Sequence, residues 1–162
     1  MNIIKNILKL KLKSLVTYYK NLLFFTMYIA DKIITDLKMT AHPEGGHYSE
    51  SFRDKDNNVS LIYYLLKKNE SSHWHRLTKN EILHFYDGYP LNVHISEDSE
   101  TSYTKVLGRN IDNKENFHLV TTAGSWFSMT TLGLYSLIRC TVSPGFDYKD
   151  FELAPKNWGP GK

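Results

Sequence analysis

The stretch Ser72–Gly88, SHWHRLTKNEILHFYDG, decides how the rest of this chain is read. It holds three of the seven histidines (His73, His75, His84) and one carboxylate, Glu81, that is not an aspartate of the closing turn. Gly88 and Pro90 end it. Read as two strands joined by a loop, it places His73 and His75 on one face, because alternate residues of a strand point the same way. Glu81 opens the second strand and comes opposite that pair. Two imidazoles and a carboxylate converging on one cavity make either a metal site or an acid–base site. The plain alternative is a polar network that only ties two strands together.

Outward from that stretch the pattern is strand and turn. Upstream, His47 to Arg53 alternates, Asp54 to Asn58 is a polar turn, and Val59 to Leu66 is an apolar strand. Downstream, strands are expected at Leu83–Tyr86, Leu91–Ile95, Tyr103–Leu107, Phe117–Thr121, Ser125–Thr130 and Leu134–Val142. The tail adds Phe151 and Leu153 before Pro155 and the terminal Gly-Pro-Gly break the order. Before the strands, Ile29, Ile33, Ile34 and Leu37 recur at helical spacing, predicting a short amphipathic helix within Met27–Met39 that stops ahead of Pro43. One short helix and about nine evenly spaced strands predict an all-β, antiparallel barrel or jelly roll.

A chain of 162 residues, 41% hydrophobic and 23% charged, suits one domain with a real core. Its net charge of +3 comes from its start: the first thirty residues carry Lys5, Lys9, Lys11, Lys13 and Lys20 and no acid. The remainder holds fifteen basic residues against all seventeen acidic ones and has no basic run of the kind that neutralises phosphates, so nucleic acid is not an expected partner. Lys20 interrupts the one candidate membrane span, leaving too short an apolar run for stable insertion. The segment 1–26 is not Arg- and Ser-rich like a transit peptide and shows no clear small-residue cleavage site of a signal peptide. Composition changes sharply at Met27, so residues 1–26 are expected to lie outside the fold and 27–162 to form the domain. The compartment expected is the cytoplasm, with an organellar or secretory route left open by the extension. Cys140, the only cysteine, excludes an internal disulfide and reads as a small core residue.

Several motifs then resemble a known group. His42-Pro-Glu-Gly-Gly46 with Tyr48, Glu50 and Arg53 is followed by Trp74-His-Arg76, Glu81-Ile82 with His84, Gly88-x-Pro90-Leu91 and Leu107-Gly108. Ala123-Gly124-x-Trp126, Cys140-Thr-Val142, Pro144-Gly-Phe146 and Asp150-Phe-Glu-Leu-Ala154 complete the series. In that order, across nearly all of 27–162, these resemble a cupin-superfamily group of uncharacterised proteins described as predicted sugar epimerases. The resemblance implies a double-stranded β-helix (a jelly-roll barrel of RmlC-like type), a homodimer and a small-molecule pocket inside the barrel for a sugar or nucleotide-sugar-like ligand. Cupins in general also carry a His-x-His…Glu…Gly motif, which His73, His75, Glu81 and Gly88 approach with a gap one residue longer than usual. A second motif places a histidine three residues after a glycine; here Phe127 follows Gly124 at that place.

The candidate site residues follow. His75 and Glu81 form an acid–base pair in which the carboxylate fixes the imidazole tautomer, and a tyrosine supplies the opposing proton, with Tyr64 ahead of Tyr48 and Tyr135. Arg53 or Arg76 is the expected anchor for an anionic substrate group, Trp126 a stacking wall, and His73 and Tyr48 further substrate-binding residues. The sequence points to no definite cofactor, while a divalent metal on His73, His75 and Glu81 stays open. His42 and Glu44 read as turn-capping residues, and His47, His94 and His118 as residues with no role. The function expected is a small-molecule-binding, sugar-epimerase-like isomerase. The alternatives are a non-catalytic metabolite-binding protein and a metal-dependent enzyme such as a dioxygenase.

Overall fold

A computed structural model describes residues 2–162; the side chains of residues 2–8, 10 and 21–27 lie outside that description. Helix α1 (Asn2–Asp36) leads into eleven strands: β1 (Thr40–Ala41), β2 (His47–Arg53), β3 (Ser60–Lys67), β4 (Ser71–Leu77), β5 (Glu81–Gly88), β6 (Leu91–Ser96), β7 (Tyr103–Leu107), β8 (His118–Thr121), β9 (Trp126–Thr131), β10 (Tyr135–Val142) and β11 (Phe151–Leu153). They form two antiparallel sheets, one ordered β1-β2-β3-β10-β5-β8 and the other β11-β4-β9-β6-β7. This is an all-β jelly roll, as the spacing of apolar runs and turns predicted.

The core lies between the sheets. Tyr64, Leu66, Leu83, Ile138 and Cys140 from the six-stranded sheet meet Leu91, Val93, Ile95, Phe127 and Met129 from the other. Each set comes from alternate positions, so the intervening residues face outward. On the outer face of the six-stranded sheet, Ala30, Ile33 and Ile34 of α1 cover Leu65, Tyr135 and Leu137.

Two expectations change. The helix is not short: it runs unbroken through Met27, and Lys9 and residues 11–20 are exposed along it. It also ends earlier than Pro43 demands. Lys38 turns left-handed (φ 52), and the Met39 amide donates to the Ile34 carbonyl at 2.8 Å, a Schellman closure that buries Met39. The two extra strands, β1 and β11, span two and three residues, too few for any periodicity to show. No helix of the described residues is long and apolar enough to cross a membrane.

Candidate active site

A β-bulge in β4 decides which histidine enters the molecule. Ser72 pairs with Met129 and His75 with Phe127, so three steps along β4 answer two along β9. The extra residue shifts the alternation by one position. Ser72, His75 and Leu77 therefore point inward, and His73 does not share their face. Its Nε2 donates to the Pro155 carbonyl at 3.1 Å, on the tail that runs beside the strand.

The His42–Gly46 loop plugs the space beside that bulge. The Gly45 amide donates to the His42 carbonyl and the His42 amide to the Gly46 carbonyl, both at 3.0 Å. Gly45 (φ +112) and Gly46 (φ +68) are in the left-handed region, and a Cβ on Gly45 would stand 2.2 Å from the Ser71 carbonyl oxygen. The Glu44 carbonyl accepts the His73 amide at 2.7 Å. Glu44 is thereby driven inward, to 7% exposure.

The result is a cavity of about 310 Å³ lined by His42, Glu44, Tyr48, Glu50, Arg53, His75, Glu81 and Cys140, with Phe146, Tyr148 and Phe151 among its apolar walls. At one corner Glu44 Oε1 accepts from the Ser72 hydroxyl at 3.0 Å, while Oε2 stands 3.2 Å from His75 Nε2 and 3.4 Å from His42 Nδ1. His75 Nδ1 donates to the His73 carbonyl at 2.8 Å, so Nε2 carries the lone pair that meets Glu44. Burial raises the pKa of Glu44 against the pull of His42, Ser72 and Tyr64. Burial likewise lowers His75, against the nearby Glu81. Both shifts favour the neutral forms, so one proton is shared between carboxyl and Nε2.

Across the cavity, Glu81 begins β5 beside Val142 of β10. Burial pushes its pKa from 4.5 up to about 7; His75 opposes the shift and the charge of Glu44 adds to it. The Cys140 thiol, beside it on β10, opposes that shift weakly. Cys140 is itself buried, and burial raises its pKa well above the usual range, so it is a core residue and not a nucleophile.

Of the residues expected at the site, His75, Glu81, Tyr48 and Arg53 line the cavity. Tyr64 does not. It is buried behind the loop with its hydroxyl donating to the Gly45 carbonyl at 2.7 Å, and burial holds its pKa well above 10. Tyr135 lies on the outer face and bonds Asp87 at 2.7 Å. Arg76 pairs with Glu152 at 2.7 Å and stacks over Trp126, whose ring meets Trp158 at 4.4 Å on the outside of the five-stranded sheet. Arg53 reaches the cavity with its donors already on Glu50, Asn57 and the Phe146 carbonyl. His42 and Glu44, read from sequence as turn-capping residues, sit at the centre of the site; the adjacent Gly45-Gly46 pair was the available signal for a loop pressed against other backbone.

These residues do not fit a metal ion in this arrangement. His73 is turned away, Glu44 occupies the space in front of both imidazoles, and Phe127 packs its ring 4.0 Å from that of His75. Among the described residues no three His, Cys, Asp or Glu side chains are grouped to hold one.

Comparison with known proteins agrees with the fold. A protein of Shewanella oneidensis, solved by structural genomics, is 34% identical over 76% of this chain and 83% of its own, with a TM-score of 0.73. A hypothetical protein from Leishmania major is 28% identical over 76% of this chain and 86% of its own, with a TM-score of 0.69. Oxalate decarboxylase from Bacillus subtilis shares the fold alone, at 16% identity over 70% of this chain and 29% of its own, with a TM-score of 0.57. No curated protein matches the chain. The family model described as Cupin superfamily (DUF985) matches residues 31–154, and the chain therefore belongs to the cupin superfamily.

Proposed function

We propose that the cavity binds a small sugar-like carbonyl compound and moves a proton at the carbon beside the carbonyl, an isomerase- or epimerase-type reaction. The supporting observation is a pair of differently poised carboxyls around one imidazole: Glu44 shares a proton with His75 Nε2 at 3.2 Å, while Glu81 titrates near neutrality. A base whose pKa lies close to the working pH is both sufficiently ionised and sufficiently strong. In this reading Glu81 takes the proton from carbon. The Glu44–His75 pair passes its shared proton to the carbonyl oxygen, giving an enediol. Return of a proton to the opposite face falls to the hydroxyls of Tyr48 and Tyr148, which stand 3.4 Å apart on the cavity wall. A cavity of about 310 Å³ suits a monosaccharide-sized ligand. The residues thus replace Tyr64 as donor and recruit Glu44 into the acid–base set.

The test is deuterium wash-in from heavy water into a panel of sugars, followed by mass spectrometry. The expected outcome is exchange at one carbon position, reduced at least roughly a hundredfold in Glu81→Gln and His75→Asn. Ligand binding without exchange across the panel would favour the second reading, a metabolite-binding protein without catalysis. That reading draws on Glu44, whose two oxygens are already engaged by Ser72 and the imidazoles. A cytoplasmic homodimer belongs to the same proposal; light scattering on the purified chain tests its oligomeric part.

A further inference from the structure

The ionisable lining of the cavity is mostly acidic. Glu44, Glu50 and Glu81 line it against a single guanidinium, that of Arg53. Arg53 is committed: Nε and Nη2 donate to Glu50 at 3.0 and 2.6 Å, and Nη1 to the Phe146 carbonyl at 2.9 Å and to Asn57. His42 and His75 are held neutral, since burial lowers both pKa values. No free cation among the described lining residues is left to grip a carboxylate or phosphate, and Arg76 is on another face.

Beside the carboxyls the wall is built of rings. Phe146 meets Tyr148 edge to face at 5.2 Å and Phe151 at 6.1 Å, and Tyr148 meets Phe151 at 6.4 Å. Tyr48 joins them through its hydroxyl contact with Tyr148 and packs on His42 at 4.6 Å. Ring faces carry the negative part of an aromatic quadrupole and attract cations within about 6 Å of the centroid. Glu81 has acceptor capacity to spare, because a carboxylate takes about four hydrogen bonds and this one lines the cavity beside the Cys140 thiol.

We propose that the ligand of this cavity carries a protonated amine or ammonium group, seated between the Tyr48–Phe146–Tyr148–Phe151 wall and the Glu81 carboxylate. The proposal rests on reading the cavity as the ligand site and adds the charge class that the ligand must have. It replaces the anionic substrate group expected from Arg53 and Arg76. Within the proton-transfer reading the substrate becomes an amino sugar or a similar amine-bearing carbonyl compound.

Calorimetric titration of the full chain with matched probes tests it: glucosamine as cation, glucose as neutral form, glucuronate as anion and tetramethylammonium as the bare charge. Glucosamine should bind about tenfold or more tighter than glucose, with tetramethylammonium binding measurably and glucuronate weakest. Glu81→Gln should shrink the glucosamine-to-glucose ratio severalfold. Tyr148→Leu, at a position 56% exposed where folding is not at stake, should do the same. Equal or tighter binding of glucuronate, no binding of either cation, or a ratio unchanged in both variants overturns the proposal. Deuterium exchange followed on the same samples separates the two claims. Cation binding without exchange leaves this one standing and ends the catalytic reading, and exchange in anionic or neutral sugars alone does the reverse.

Discussion

The two carboxyl corners of the cavity differ in how fully they are held. At the Glu44 corner the chain supplies a hydroxyl and two imidazole nitrogens within 3.4 Å of one carboxyl. At the Glu81 corner a carboxyl of equal burial, 7% exposed like Glu44, has a thiol beside it. Equal burial with unequal satisfaction gives unequal roles. A saturated carboxyl holds His75 in orientation and acts only through the proton it shares with that ring. An under-satisfied one keeps its lone pairs, and its desolvation cost, for whatever enters.

The contrast can be broken most severely at the frame. Glu44→Ala strands the Ser72 hydroxyl and His75 Nε2 in a buried corner, and should cost about 2–4 kcal/mol in urea unfolding at pH 7. A loss below about 1 kcal/mol would put Glu44 outside the frame. The Glu81 corner should show itself in the pH dependence. Its folded-state pKa is raised from 4.5 to about 7, so the folded chain binds the extra proton. That contribution is fully present below pH 4.5 and is lost as pH rises through about 7, amounting to about 3 kcal/mol if nothing relaxes. The stability of the wild-type chain relative to Glu81→Gln should therefore fall between pH 4.5 and 7.5. Taking the difference cancels His42, whose lowered pKa acts with the opposite sign, and leaves of His75 only the part that Glu81 itself sets. A flat difference would mean that Glu81 is solvated.

A finer probe is Ser72→Ala, which removes one donor from Glu44 and should cost about 1 kcal/mol while raising the pH at which the Glu44–His75 pair titrates. Smallest of all, deleting residues 1–20 should move the melting midpoint by no more than about 2 °C and leave the difference between the two corners intact, because Lys9 and residues 11–20 are exposed. A large loss would bring the extension into the domain.

Sequence by itself determined the sheets. Alternation along His47–Arg53 and Tyr103–Leu107 predicts those two strands to the residue, and the apolar runs Val59–Leu66 and Leu134–Val142 became the adjacent strands β3 and β10. Period-two patterning is a local property, legible wherever one face of a strand is buried. His75, Glu81 and Tyr48, named from the sequence, line the cavity, and Arg53 joins them although strict alternation puts it opposite Tyr48, because β2 shifts register between Glu50 and Phe52. The extent of α1 was not, since its exposed stretch at residues 11–20 carries no burial pattern to read.

Tertiary structure alone decided which polar groups meet. The bulge between Ser72 and His75 reverses the parity that would have paired His73 with His75, and a bulge is visible only against the partner strand. The two glycines bring Glu44 from a surface turn into the core by pressing backbone on backbone, a contact between residues 26 positions apart in the case of Gly45 and Ser71. Tyr64, Arg76 and Trp126 were drawn to other partners, the first to a carbonyl and the others to the outer face. A strand's pattern says that a side chain points inward. Which charge it will face there depends on loops that cross from the other sheet, and that fixed the chemistry of this cavity.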